Sequence, residues 1–220
     1  FMSVVSAFAD YIPPNYTGYV NDFAKVLSSN TFIELDRIIR EIKAKTGAEI
    51  AVVTLNSLDG YPIEDVALSI GRTWKVGQSG KDNGLVMVVA PNERKMRIEI
   101  GYGLEGVLTD SHAGQIRDGY MLPYFKKGDY DSGIKLGTIA VAQTIAKANG
   151  VSLSTQESLP SPSPCDDTEH GPLFYLLVGI LVIFRFFTPW GWRNYGSSSG
   201  GFGGFGGGGG FGGGGCSGSW

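Results

Sequence analysis

Apolar residues recur at helical spacing in four stretches of the chain and at strand spacing in three, with turn residues between them. Leu35, Ile38, Ile39 and Ile42 share one helix face, opposite Asp36, Arg37, Arg40, Glu41 and Lys43. Ser28, Ser29 and Asn30 are candidate N-caps for this helix, and Gly47 is a natural stop. Before it, Pro13-Pro14 blocks helix, and Val20 to Phe23 leads toward the first helix. Glu49 to Leu55 has the β-rich character and length of a buried strand. Ile63, Val66, Ala67, Ile70 and Trp74 form the stripe of a second amphipathic helix. Leu85 to Ala90 is apolar on both faces, which places it centrally in a sheet. After the turn Pro91–Arg94 the chain alternates. Met96, Ile98 and Ile100 point inward and Lys95, Arg97 and Glu99 outward, a half-exposed strand paired as a hairpin with its predecessor. Thr109, Asp110 or Ser111 caps a third helix, Ala113 to Tyr120, which Leu122-Pro123-Tyr124-Phe125 interrupts. A last helix runs from Tyr130 or Asp131 to Asn149, burying Ile134, Val141 and Ile145. The order αβαββαα predicts an α/β fold, an αβα sandwich on a small mixed sheet, over residues 10–150.

Outside that domain the pattern changes. Residues 1–9 end in Ala7-Phe8-Ala9 and read as the remnant of a signal peptide. Residues 151–172 are rich in Ser, Pro and acids and read as a linker. From Leu173 to Phe187 the chain is apolar except for Arg185, slightly short of the length of ~17–20 residues that spans a bilayer core. With Trp190 and Trp192 as an interfacial belt, residues 173–190 are expected to form one transmembrane helix in contact with membrane lipid. Asp166, Asp167 and Glu169 precede it, and Arg185 and Arg193 lie at or beyond its end. The expected orientation puts the globular domain extracytoplasmic and the C-terminal tail cytoplasmic, single-pass in the cell membrane. Residues 191–220 hold much of the chain's 34 glycines and read as a disordered Phe/Gly-rich tail, with Trp220 free to anchor at the interface or dock on a partner.

A net charge of −3 argues against nucleic acid as a partner. The two cysteines, Cys165 and Cys216, lie outside the domain, so neither a disulfide framework nor a cysteine nucleophile is expected in it. Of the two histidines, His170 is in the linker and His112 falls in the first turn of a helix. Gly101, Gly103 and Gly106 match the spacing of a nucleotide loop, but no βαβ unit surrounds them in the required order. The segment Asp82 to Asp110, with Glu105 and Asp110 in a glycine-rich loop after a strand, is where a ligand site is expected.

The stretches VNDFAKVLS at 20–28, GAEIAVVTL at 47–55, DNGLVMVVAPNERKMRIEIGYGLEGVLTD at 82–110 and FKKGDYDSGIKLG at 125–137 resemble the TPM-domain family, as does the tail ending GSGSW or close to it. That family includes bacterial membrane-anchored proteins and thylakoid-lumen proteins linked to photosystem II repair. The chain departs from the pattern at Cys216, where a small residue such as Ala is expected. The resemblance implies an αβα sandwich, divalent-metal binding, and acid phosphatase activity as in plant members. On that basis Asp22, Asp82, Asn83, Glu105 and Asp110 are the candidate ligands of a hard cation, Ca²⁺ or Mg²⁺, which takes oxygen donors. The expected function is a membrane-anchored, cation-binding module that binds membrane-protein partners, in maintenance of their complexes. The alternatives are a metal-dependent acid phosphatase and a structural protein that self-associates through its Phe/Gly tail.

Overall fold

The computed structural model describes residues 11–154, 159–161 and 214–220. The expected signal remnant, the apolar segment 173–190 and the tail up to 213 lie outside the described residues. Among the described residues no helix is long and apolar enough to cross a membrane.

A five-stranded mixed sheet in the order β1-β2-β3-β4-β5 forms the middle layer. Its strands are β1 (Val20–Asp22), β2 (Glu49–Thr54), β3 (Gly84–Ala90), β4 (Lys95–Ile100) and β5 (Gly215–Ser219). The first three are parallel, β3 and β4 form an antiparallel hairpin, and β5 runs antiparallel to β4. Because side chains alternate across a strand, β2 and β3 feed two cores. Ile50, Val52, Leu85, Met87 and Val89 face α1 (Ser29–Thr46), α3 (Asp110–Ile116) and α5 (Tyr130–Ala148). Ala51, Val53, Val86 and Val88 face α2 (Ile63–Trp74). The expected αβα sandwich and mixed sheet are therefore present, and α1 starts where its pattern places it, with the Ser28 hydroxyl accepting from the Thr31 amide and Gly47 closing the other end in the left-handed region.

Four expectations change. Val20–Asp22, expected to lead toward a helix, is a strand, because β2 offers it an open parallel edge. The outer face of β4 is covered at one end: Glu99 is 3% exposed beneath α2, while Lys95 stays exposed as expected. The third helix is not broken at Pro123. It continues through a π-turn, Arg117–Met121, into α4 (Leu122–Phe125). Pro123 has no N–H to donate one turn back, and the widened turn absorbs that loss. The start of the expected linker belongs to the domain, since Val151, Leu153 and Leu159 pack on the core and Ser154 bonds Glu41.

The tail brings the largest correction. Expected to be disordered to its end, it supplies β5, which covers the free edge of β4. A single bilayer crossing between the domain and residue 214 would put the two partners of this pairing on opposite sides. The expected orientation of the tail and this pairing exclude one another within one chain.

Candidate functional site: the β4 edge and its acid pair

The site begins with two glycine loops that lie against each other. The Gly101 amide donates to the Gly84 carbonyl at 2.8 Å, and the Gly103 amide donates to the Asp82 carbonyl at 3.0 Å. A Cβ at either Gly101 or Gly103 would collide with the backbone of residues 81–84. These glycines therefore serve backbone contact and not phosphate binding. The short 3₁₀ turn Tyr102–Leu104 that follows carries Glu105 at its end, and Thr109 caps α3 so that Asp110 opens it.

Glu105 and Asp110 meet on the tail. Glu105 Oε1 accepts from the Gly214 amide at 2.8 Å, and Asp110 Oδ1 accepts from the Gly215 amide at 2.7 Å. Two successive main-chain donors of the entering strand are thus read by two carboxylates, a charge-assisted arrangement stronger than a neutral pair. The Ile100 amide then donates to the Gly214 carbonyl at 3.0 Å and starts the ladder.

Further side chains that the sequence alone does not mark complete the groove. Arg97 donates to the Ser217 hydroxyl at 3.3 Å and pairs with Glu99 at 2.6 Å. The Ser217 hydroxyl donates to Glu64 Oε1 of α2, and Arg117 donates to the Ser217 carbonyl while holding Asp118. Burial raises the Glu99 carboxyl above its usual range, with Arg97 opposing it, whereas the bond from Ser217 lowers Glu64. At the end of the strand the Trp220 ring lies 4.7 Å from Phe125 and 5.9 Å from Tyr130, centroid to centroid. Cys216 is the only strand residue buried against the main core, and desolvation pushes its thiol up to about 11.

The groove selects by excluding side chains. A Cβ at Gly214 would collide with Asp110, one at Gly215 with the Ile98 carbonyl and Arg97, and one at Gly218 with the Arg117 side chain. The pattern read is Gly-Gly-small-Ser-Gly-x-Trp. The sequence marks its Trp220 and its family-like ending but not a strand, because the extended state depends on the residues it touches.

The remaining candidates are elsewhere or already engaged. Asp22 ends β1, and its oxygens accept from the Val26 and Leu27 amides and the Thr54 hydroxyl. Through the register of β2 and β3 it sits at the Val89 end of the sheet, while Asp82 and Asn83 precede the Gly84 end. Six residues of strand separate those ends by about 20 Å. Asn83 is buried, with Oδ1 taking the Gln78 amide and Nδ2 donating to the Gly47 carbonyl. Asp82 sits in the left-handed region at φ 50°. Among the described residues no three His, Cys, Asp or Glu side chains gather where they would hold a metal ion. Asp22 therefore lies apart from Asp82 and Asn83 in the sheet. His112 is exposed in the first turn of α3, its amide on the Thr109 hydroxyl.

Comparison with known proteins settles the family. The TPM domain family model matches residues 20–144, more than half of the chain.

The chain belongs to the TPM-domain family.

Among solved structures, the N-terminal domain of a protein from P. gingivalis has 35% sequence identity and a TM-score of 0.57, covering 62% of this chain and 87% of that one. The N-terminal domain of the cg2496 protein from Corynebacterium glutamicum is 23% identical, with a TM-score of 0.47 over 67% of this chain and 88% of that one. BA42 from Bizionia argentinensis is 22% identical, with a TM-score of 0.49 over 57% and 85%. No curated protein matches the chain. The matched TPM region ends before the tail, so the groove on β4 is built by the TPM domain and filled by residues outside the family match.

Proposed function

We propose that this TPM domain is a binding module, not an enzyme, and that its working surface is the edge of β4. The observation that supports this is the pair of tail amides held by Glu105 and Asp110 at the mouth of an otherwise open sheet edge. Strand addition draws affinity from main-chain hydrogen bonds and specificity from the side-chain positions along the added strand. Here specificity comes from three glycines, one serine and a terminal tryptophan.

The module is held at a membrane by residues 173–190, with the domain extracytoplasmic. The Ala7-Phe8-Ala9 end and the apolar run support that placement. The tail shares the domain's side of the membrane in this reading, which the pairing of β5 with β4 supports.

The test is a peptide titration. A full-length chain carrying Gly215→Val and Gly218→Val cannot seat its own tail. A synthetic Gly-Gly-Cys-Ser-Gly-Ser-Trp peptide is expected to bind it, and an analogue with valine at the last glycine is not. Equal binding of the two, or of neither, would remove the edge as the working surface.

Glu105 and Asp110 also supply a narrower cation reading. Freed from the tail amides, they offer hard oxygens to a divalent cation, so cation and tail compete for the same atoms.

A further inference from the structure

The α2 side of β4 carries a buried ion pair. Arg97 and Glu99 are two residues apart on one strand, so their side chains leave the same face. These side chains are 15% and 4% exposed. Arg97 Nε and Nη2 both donate to Glu99 Oε2, at 2.9 and 2.6 Å. Removing two charges from water can cost as much as their attraction returns, so stability alone is a weak reason for the pair. We propose that the Arg97–Glu99 pair sets the groove's selection of a hydroxyl at the position of Ser217, with Glu99 as the residue that positions Arg97. The inference rests on reading the β4 edge as the binding surface, and it names one feature that surface selects and the side chains that select it.

Register and space carry it. Ser217 lies opposite Arg97 and Gly215 opposite Glu99. To reach Glu99 the guanidinium turns along the strand beside Gly215, where a Cβ would stand 2.7 Å from Arg97 Nη2. The glycine thus leaves room for the turned guanidinium. With Nε and Nη2 committed to Glu99, the third nitrogen, Nη1, donates to the Ser217 hydroxyl at 3.3 Å. That hydroxyl in turn donates to Glu64 Oε1, from the first turn of α2. A hydroxyl accepts and donates at once, so a short side chain of this kind serves a guanidinium on one side and a carboxylate on the other. A methyl group at this position leaves both charged groups without that partner. A carboxylate there would face Glu64, and an ammonium would face Arg97.

The test is a double-mutant cycle in the full-length chain carrying Cys165→Ser. Cys216 is buried in the same strand, so its alkylation rate, divided by that of the same chain in denaturant, reads docking. Ser217→Ala is expected to quicken alkylation about 5- to 10-fold. In Glu99→Ala the factor for adding Ser217→Ala is expected to fall to about 2, the share left to the exposed Glu64. Glu99→Gln keeps an oxygen for Arg97 and is expected to restore the larger factor. Should Glu99→Ala not fold, Arg97→Lys gives the second cycle. Its ammonium keeps the charge beside Glu99 but lacks the fork that reaches Ser217 as well, so the factor again falls to about 2.

A Ser217→Ala factor that is the same with and without these changes makes the pair merely structural and overturns the proposal. A native chain that protects Cys216, with Ser217→Ala alkylated no faster, overturns the hydroxyl selection and leaves the edge as a binding surface. Alkylation of the native chain at its denatured rate overturns this inference and the edge reading together.

Discussion

Asp110 accepts the amide of Gly215, a residue 105 positions further along the chain, at 2.7 Å. With Glu105 on the neighbouring Gly214 amide, it converts a low-complexity tail into the last strand of the sheet. Asp110→Ala leaves that amide without its charged acceptor, a loss of about 1–3 kcal/mol of docking. Cys216 reports the docked state, because its thiol is buried only while the strand is seated. Alkylation of Cys216 is expected to quicken about 5- to 150-fold in Asp110→Ala, following the same energy, while Asp22→Ala leaves the docked strand untouched.

Gly218→Val is the steric counterpart. The added side chain falls on Arg117, which already holds the Ser217 carbonyl. The expected outcome is loss of the Phe125–Trp220 contact, read as a red shift of Trp220 emission, in a background where the other tryptophans are replaced by phenylalanine. Trp220→Ala removes the aromatic anchor itself and costs about 2–3 kcal/mol of docking, below the value for a fully buried ring.

Docking depends on pH through Cys216. The seated thiol is raised from 9.0 to about 11 by burial. A group whose value is raised on docking contributes stability below its free value and loses it as pH climbs through the docked one. Docking is therefore expected to weaken between about pH 9 and pH 11, by about 2–3 kcal/mol at full effect. Cys216→Ala flattens this step, which separates it from lysine and tyrosine titration in the same range. The Trp220 emission shift measured against pH in both proteins checks it.

Divalent cations supply a further test. If Ca²⁺ draws on Glu105 and Asp110, adding it releases the tail and speeds Cys216 alkylation in the native chain but not in Asp110→Asn. An alkylation rate unmoved by millimolar Ca²⁺ removes the cation reading and leaves the strand pairing intact.

The sequence made the sandwich legible because its layers rest on periodic burial. The stripe Leu35, Ile38, Ile39, Ile42 and the unbroken run Leu85–Ala90 each admit one placement. It misled where tertiary contact overrides local preference. Glu99 alternates like a surface residue, yet α2 covers it and Arg97 neutralises it. Val20–Asp22 is too short to show a period and becomes a strand because β2 has a free edge. Gly215–Ser219 has no β-forming residues at all, and its extended state is imposed by the β4 edge. Of the five acids and amides marked as ligands, Glu105 and Asp110 meet on one segment, where they accept amides of the tail. That relationship joins residues 105 and 110 to residues 214 and 215, and no spacing in the sequence announces it.

Amide hydrogen exchange along β4 tests the central claim most directly. The ladder alternates: the amides of Arg97 and Glu99 point to β3, and those of Met96, Ile98 and Ile100 point to β5, as the Ile100–Gly214 and Gly101–Gly84 bonds fix. In the full-length chain all five amides are expected to be protected. In Gly215→Val/Gly218→Val, Met96, Ile98 and Ile100 lose protection while Arg97 and Glu99 keep it. Free exchange of Met96, Ile98 and Ile100 in the native chain, or equal protection of the three in both proteins, would contradict the account.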